Sequence, residues 1–158
     1  MYTSYKKKHI GIVGGVKLKI STKGRYGLRA LVYIGSAASE RVSLKEISEK
    51  EDISLKYLEQ IFSTLKKAEI VESVKGTLGG YFLSNYGKKL NIFGILKILE
   101  GEEKVSSDDK GKLNSIEYTI NNMVWEKIDD SLKKILESIT LEDIIERHTS
   151  SGETMFYI

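Results

Sequence analysis

Two helix-start signals stand eleven positions apart in the first half of the chain, and this spacing limits what the chain can fold into. Ser43 is followed three residues later by Glu46, a pairing typical of a capping box at a helix N-terminus. Ser54 is the second start, and five apolar residues after it share one helix face: Leu55, Leu58, Ile61, Phe62 and Leu65. The first helix must end near Lys50, so only a tight turn over residues 51–53 can join the two helices.

Patterned segments flank this helix pair on both sides. A preceding helix is predicted with Ser21 or Thr22 as its N-cap, because apolar residues recur after them at helical spacing. After the pair, apolar runs at 70–74 and 81–83 enclose the glycine-rich residues 76–80, which indicates a β-hairpin. The resulting order of elements is that of a winged helix-turn-helix: a helix, a short helix, a turn, a second helix of the pair and a glycine-tipped hairpin. The predicted fold class is mainly α with a small β-hairpin wing.

Beyond the hairpin the chain divides by composition. Asn91 caps a further helix that should stop at Gly101. A long amphipathic helix is predicted from 115 to 139, and a short helix from 141 to 148. The predicted units are an N-terminal extension (1–17), a winged helix-turn-helix domain (18–101), a polar linker (102–114), the long helix with the short helix after it (115–148), and a tail (149–158).

Composition excludes several classes of protein. The sequence has no cysteine and two histidines, so thiolate-held clusters are impossible and a protein-held metal or other cofactor is not expected. Neither histidine has a recognisable catalytic spacing and no phosphate loop is present, so the chain is not expected to be an enzyme. No apolar run approaches the roughly 20 residues that span a bilayer. We therefore expect a cytoplasmic protein that does not bind membranes.

The second helix of the pair carries the candidate DNA-binding residues. Its N-terminal half leaves Lys56, Tyr57, Glu59 and Gln60 off the apolar face, where a recognition helix reaches base edges. Gln60 can pair with an adenine edge and Glu59 can accept from a cytosine amino group, while Ser54 and Lys56 can reach phosphate or guanine. Polar residues on one helix are equally consistent with an ordinary solvated surface. The hairpin after it favours the DNA-binding interpretation, since Lys75 at its tip suits a phosphate or minor-groove contact.

The chain resembles the Rrf2 family of bacterial transcriptional regulators. The resemblance rests on four segments: LKISTKGRYGLRAL, VSLKEISEKEDISLKYLEQIFSTLKKAEIVESVKG, GGYFLS and VWEKIDDSLKKILESITLEDI. It implies backbone contacts from the start of the first helix, major-groove contacts from the second helix of the pair, and wing-tip contacts. The residues so implicated are Thr22, Lys23, Arg25 and Tyr26, then Ser54, Lys56, Tyr57, Glu59 and Gln60, then Lys75 and Gly76.

The resemblance also implies that the long helix forms a homodimer, which would read an inverted-repeat operator in double-stranded DNA. The apolar residues implicated are Ile116, Ile120, Met123, Val124, Ile128, Leu132 and Ile135. Family members that hold an iron–sulfur cluster place its cysteines in the region matching 102–118, and this chain has none there. The wing departs from the family pattern because Lys75 replaces an arginine, and a lysine cannot reproduce the two-pronged arginine contact.

The absent cysteines and the final residues Met155-Phe156-Tyr157-Ile158 resemble the CymR-type branch of the family, which represses cysteine and sulfur-assimilation genes with cysteine synthase as corepressor. Phe156, Tyr157 and Ile158 are the expected synthase-binding residues, unless they pack on their own dimer or fray. Two alternatives stay open. One is a cluster-free regulator of unrelated genes, and the other is an interaction module that regulates cysteine synthase without DNA.

Residues 1–17 lack periodicity and contain Lys6-Lys7-Lys8 and three glycines, which predicts a flexible extension. The family pattern usually begins at the position of Leu18 or Val16. The extension is then either non-native sequence, from a tag or a start codon assigned too far upstream, or a basic arm that touches DNA phosphate.

Overall fold

A computed structural model describes residues 20–101 and 114–154 of the chain. Eight α-helices and one two-stranded sheet are formed in these ranges: α1 (Thr22–Ser36), α2 (Leu44–Glu51), α3 (Leu55–Lys67), β1 (Val71–Val74), β2 (Gly80–Leu83), α4 (Asn85–Lys89), α5 (Ile92–Glu100), α6 (Ser115–Ile120), α7 (Glu126–Glu137) and α8 (Leu141–Thr154). The predicted order of helix, helix pair, hairpin and helix is confirmed, and so is the mainly α fold class. The predicted extension at 1–17 and nearly all of the predicted linker lie outside the described residues.

The first three helices begin at the serines that the sequence indicated. The hydroxyls of Ser21, Ser43 and Ser54 each accept a hydrogen bond from a backbone N–H in the first turn. The predicted capping box at Ser43 is only half formed, because the Glu46 carboxylate accepts from the Tyr33 hydroxyl at 2.9 Å. This contact ties α2 to α1. Burial and the acidic side chain of Glu46 raise the pKa of Tyr33, so the phenol stays a neutral donor.

Most of the predicted α3 stripe is buried in the core. Leu58, Ile61, Phe62 and Leu65 are at most 1% exposed. Leu55 was predicted on the same face, but the structure leaves 42% of it exposed. It is the first residue of the helix, where the chain has just left the turn and the core does not yet cover it.

The hairpin is antiparallel, with Val71 opposite Leu83 and Val74 opposite Gly80. Val42, just before α2, pairs with Tyr81 through two backbone hydrogen bonds of 3.0 and 2.8 Å. The Phe62 and Tyr81 rings meet edge to face with centroids 4.8 Å apart, which joins the inner face of α3 to the wing. The wing is therefore held by its backbone pairing with Val42 and by the ring contact with Phe62.

The C-terminal helix packs on the first helix, and the predicted division at residue 101 does not separate the two in space. Leu141 is fully buried in the core, and a Cβ on Gly35 of α1 would collide with Ile145. The prediction of α8 was too short, since the helix continues from His148 to Thr154 and includes the first residues of the predicted tail. The short helix α4 was also missed.

The long amphipathic helix forms with an interruption. A π-helical turn over Asn121–Trp125 separates α6 from α7, and α7 stops at Glu137 instead of the predicted residue 139. An Asn114–Glu117 capping box starts α6, so the last residue of the predicted linker is the helix cap. Within 20–101 and 114–154, no helix is long and apolar enough to cross a membrane.

Candidate nucleic-acid interface

The N-terminal half of α3 presents its polar side chains to solvent. Ser54, Lys56, Glu59 and Gln60 are all exposed, and the Ser54 hydroxyl accepts from the Tyr57 N–H at 3.2 Å. The cap fixes where the helix begins, and the buried stripe fixes how it is rotated. Together they leave the Gln60 amide and the Glu59 carboxylate free to reach a base edge.

Tyr57 is placed differently from its predicted neighbours. Its ring is half-buried and meets the Tyr26 ring of α1 edge to face, with centroids 5.9 Å apart. Burial raises the pKa of Tyr57, with further contributions from Glu100 and Tyr26, so its hydroxyl remains a donor at neutral pH. Two predicted contact residues, Tyr26 and Tyr57, thus pack against each other and connect α1 to α3.

Arg29 connects this aromatic pair to the turn of the helix pair, a role that no local sequence pattern indicated. Its guanidinium lies 5.6 Å from the Tyr26 ring centroid and forms a salt bridge of 3.0 Å with the Glu51 carboxylate. It also donates to the Glu51 carbonyl oxygen at the C-terminus of α2. Asp52 follows with a positive φ of 52°, which ends α2 and turns the chain toward α3.

The start of α1 lies beside α3. Thr22 and Arg25 are exposed, as a phosphate contact requires. Lys23 is half-buried and donates to the Thr64 hydroxyl of α3 at 3.3 Å. The structure therefore gives Lys23 a second role in holding α1 against α3.

Glu100 anchors the start of α1 and was not among the predicted residues. Its Oε1 accepts from both the backbone N–H and the hydroxyl of Ser21, at 2.9 and 2.7 Å. A carboxylate is also favourable at a helix N-terminus. Glu100 is the last residue of α5, 79 positions along the chain from Ser21, so no local pattern could reveal this contact.

The wing tip carries Lys75 and Gly76, both exposed. Gly76 has a φ of 115°, and a Cβ on Gly79 would collide with the Val74 carbonyl, so both positions favour glycine. Lys66 of α3 donates to Ser73 of β1 at 2.5 Å and links the helix to the wing. No contact brings Lys75 or Gly76 onto α3 itself among the described residues.

Charge is unevenly distributed along the described chain. Residues 20–101 contain thirteen lysines and arginines against nine acidic residues, whereas residues 114–154 contain four against nine. A polyanion is therefore attracted to residues 20–101 taken as a whole and repelled by the C-terminal helices.

The predicted dimerisation residues lie along α6, the π-helical turn and α7. Five are exposed to between 39% and 72%: Ile116, Ile120, Met123, Val124 and Ile135. Ile128 and Leu132 are half-buried. Leu136, which was not predicted, packs on the core instead, and Lys133 lies 5.4 Å from the Phe93 ring centroid of α5. The predicted partner-binding residues Phe156, Tyr157 and Ile158 lie outside the described residues.

Comparison with known proteins matches most of the chain to transcriptional regulators. A sequence model of the Rrf2 family, described as an iron-dependent transcriptional regulator, matches residues 20–147. The chain is 35% identical over 147 residues to the HTH-type transcriptional regulator CymR of Bacillus subtilis. The alignment covers 89% of this chain and 100% of that relative. The chain is also 35% identical over 135 residues to the HTH-type transcriptional regulator IscR of Cereibacter sphaeroides, covering 81% and 87%.

The fold matches a solved structure as well. The structure of CymR, the global cysteine regulator of B. subtilis, is similar with a TM-score of 0.69 and 35% identity, covering 82% of this chain and 98% of that one.

The donor groups at 20–101 and 114–154 do not fit an iron site. The sequence has no cysteine, and the residues at 20–101 and 114–154 contain no group of three histidine or acidic side chains placed to hold a metal ion. Iron bound through thiolates is chemically impossible here.

Proposed function

This chain belongs to the Rrf2 family of transcriptional regulators, and from that premise we propose that it is a repressor that binds an inverted-repeat operator as a homodimer. The observation that carries the proposal is the surface of α3. Its capped N-terminal half exposes Ser54, Lys56, Glu59 and Gln60, while the opposite face is locked in the core. A rigid helix with exposed polar groups at its N-terminal end is what the major groove accepts.

The start of α1 supports the same interface. Thr22 and Arg25 are exposed at a helix N-terminus that Glu100 and Lys23 fix in place. Contacts of this kind position a protein on the phosphate backbone without reading sequence. In this arrangement α3 determines which DNA sequence is bound, and α1 and the wing orient the protein on the duplex.

The homodimer is supported by the exposed apolar stripe on α6 and α7. An unpaired stripe of isoleucine, valine and methionine side chains is unfavourable in water, and a second copy offers the same stripe for it to cover. Two DNA-reading units related by a twofold axis bind two half-sites in opposite orientation.

Replacing Gln60 with alanine tests the α3 interface. A duplex is first selected from a random pool with the full-length protein, and affinity for it is measured by fluorescence anisotropy. A lost side-chain contact to a base edge costs about 1–3 kcal/mol, and a dimer loses it in both half-sites. Discrimination should fall at one symmetric pair of positions in the operator and stay unchanged elsewhere.

Asn85→Ala is the matched control, because Asn85 is an exposed amide on α4 of the same domain. It should bind the selected duplex like the unaltered protein. Equal affinity and equal base preference for Gln60→Ala would count against α3 as the reading helix. No selection of any duplex would count against DNA binding itself.

We further propose that the genes controlled belong to cysteine metabolism, with cysteine synthase as corepressor. Support comes from the similarity to CymR, the global cysteine regulator of B. subtilis. Binding of a terminal carboxylate and its side chain in an enzyme pocket is a known mode of peptide recognition. Phe156, Tyr157 and Ile158 are the residues proposed to bind the enzyme.

Deleting Ile158 tests this part alone. Calorimetry with cysteine synthase should show loss of binding, whereas affinity for the selected duplex should not change. Undiminished synthase binding would refute the role of the tail and leave DNA binding untouched.

Salt dependence separates the remaining alternatives. Phosphate contacts release counterions, so DNA affinity should fall steeply with salt, which a tail-in-pocket contact does not require. A module that regulates the synthase without DNA would show no salt-sensitive duplex binding. A regulator of unrelated genes would select a duplex that does not occur upstream of cysteine-metabolism genes.

A further inference from the structure

The tip of the wing is a closed turn that presents two side chains. The Gly79 N–H donates to the Gly76 carbonyl at 3.0 Å, which makes Thr77 and Leu78 the central residues of a β-turn. Both are exposed, and neither has a positive φ within the described ranges. The hydrogen bond and the two glycines hold the turn in shape, so its central side chains project from a fixed base.

Leu78 is an unusual residue for this place. It is 87% exposed, more than any other large apolar side chain described. The turn does not require it, because small and polar residues are the ones that favour such positions. No described residue covers it, so its apolar surface is available to a ligand at the outermost point of the wing.

One cation contacts the backbone of this leucine, and a second precedes the turn in the sequence. Lys75 precedes the turn and is exposed. Arg41 comes from the segment before α2, which the Val42–Tyr81 pairing holds against the hairpin, and one of its guanidinium nitrogens lies 3.5 Å from the Leu78 carbonyl oxygen. The Ser39 hydroxyl donates to the Arg41 carbonyl at 2.9 Å and fixes this segment further. Arg41 was not among the residues that the sequence indicated.

We propose that Leu78 enters the DNA minor groove as an apolar wedge, with Arg41 and Lys75 bound to the phosphates on either side. Apolar side chains of this kind insert at base steps in the minor groove, and flanking cations neutralise the narrow walls. The inference rests on the proposed function and deepens it. The wing then gives the protein a preference for DNA with a particular minor-groove shape. Arg41 supplies an arginine at the wing, where the family pattern has one and this chain has Lys75.

The test uses the full-length protein and the selected duplex. Adenines beneath the wing are replaced with 2,6-diaminopurine, which adds an amino group in the minor groove and leaves the major-groove edge of the pair unchanged. The unaltered protein should lose affinity by about tenfold, the size of one lost groove contact. Leu78→Ser removes the contact from both wings of the homodimer, so it should already bind the unmodified duplex at least about tenfold more weakly and show no further loss on the modified one.

Leu78→Met keeps an apolar wedge and should retain both the affinity and the diaminopurine penalty. Thr77→Ser, at the other central position, is the matched control and should behave like the unaltered protein. Arg41→Ala should reduce the slope of log affinity against log salt by about one for each subunit, and so by about two for the homodimer, whereas Arg41→Lys should keep it.

An unchanged affinity for Leu78→Ser would overturn the inference. So would a diaminopurine penalty that persists in Leu78→Ser, because the groove contact would then be made by another group. If the unaltered protein selects no duplex at all, the proposed function itself fails. Thermal unfolding of each variant should match the unaltered protein, since Leu78 makes no core contact.

Discussion

Phe62→Ala should destabilise the DNA-reading unit by about 3–5 kcal/mol in the free energy of unfolding. Phe62 is 1% exposed and is among the largest side chains in the core. Its removal leaves a cavity and also breaks the edge-to-face contact with Tyr81, which holds the wing to α3. Domains of this size are stable by only about 5–15 kcal/mol, so the loss is a large fraction of the total. Urea unfolding followed by circular dichroism measures it.

Phe62→Leu fills most of the same space and should lose clearly less stability. Ser63→Ala changes the exposed neighbour on the same helix and should leave stability within about 0.5 kcal/mol. A Phe62→Ala protein that unfolds at the same urea concentration as Ser63→Ala would contradict the central place of this ring.

Helix starts and the hairpin were predictable because their signals are local. Ser21, Ser43 and Ser54 cap helices through backbone groups within three residues, so the sequence alone contains the whole interaction. The turn at 76–80 was predictable for the same reason, because its backbone conformation favours glycine whatever distant residues are present. The extension of α8 beyond His148 was missed because residues 149–152 are polar and exposed, so they show no apolar periodicity that would mark a helix.

The same distinction between local signals and contacts with distant residues applies to the candidate interface. Exposure of Lys56, Glu59 and Gln60 followed from helical periodicity. The half-burial of Tyr57 did not, because it depends on Tyr26 of another helix. The roles of Glu100 and Arg41 arise only when segments far apart in sequence meet. Sequence reasoning therefore predicted the exposed polar surface of α3 but not the contacts that orient it.

The long helix illustrates a further limit of periodicity. The apolar spacing predicted one continuous helix, whereas a π-helical turn over Asn121–Trp125 adds a residue to one turn and shifts the stripe between α6 and α7. Met123 and Val124 lie in that turn, 63% and 39% exposed. The exposed stripe is thus centred on the irregular turn, which makes this turn the decisive place to test the dimer.

Val124→Glu should convert the proposed homodimer into a monomer, because it places a carboxylate in the middle of an apolar contact where the charge would have no partner. Sedimentation velocity should show the change in mass. Affinity for the full inverted repeat should fall by at least about 100-fold, since the two half-sites are no longer bound by linked units. Affinity for a single half-site should stay the same, because Val124 is 39% exposed and is not among the side chains packed on the core that supports α3 and the wing.

Lys134→Glu is the matched control. It adds the same carboxylate to α7 at an exposed position outside the predicted stripe, so the dimer and its affinity for the inverted repeat should persist. Circular dichroism should show equal helix content in both variants, which separates a lost dimer from a lost fold. A Val124→Glu protein that remains dimeric would place the contact between copies elsewhere on the chain. Lost half-site binding in the same variant would mean that the long helix supports the DNA-reading unit directly, in addition to joining two of them.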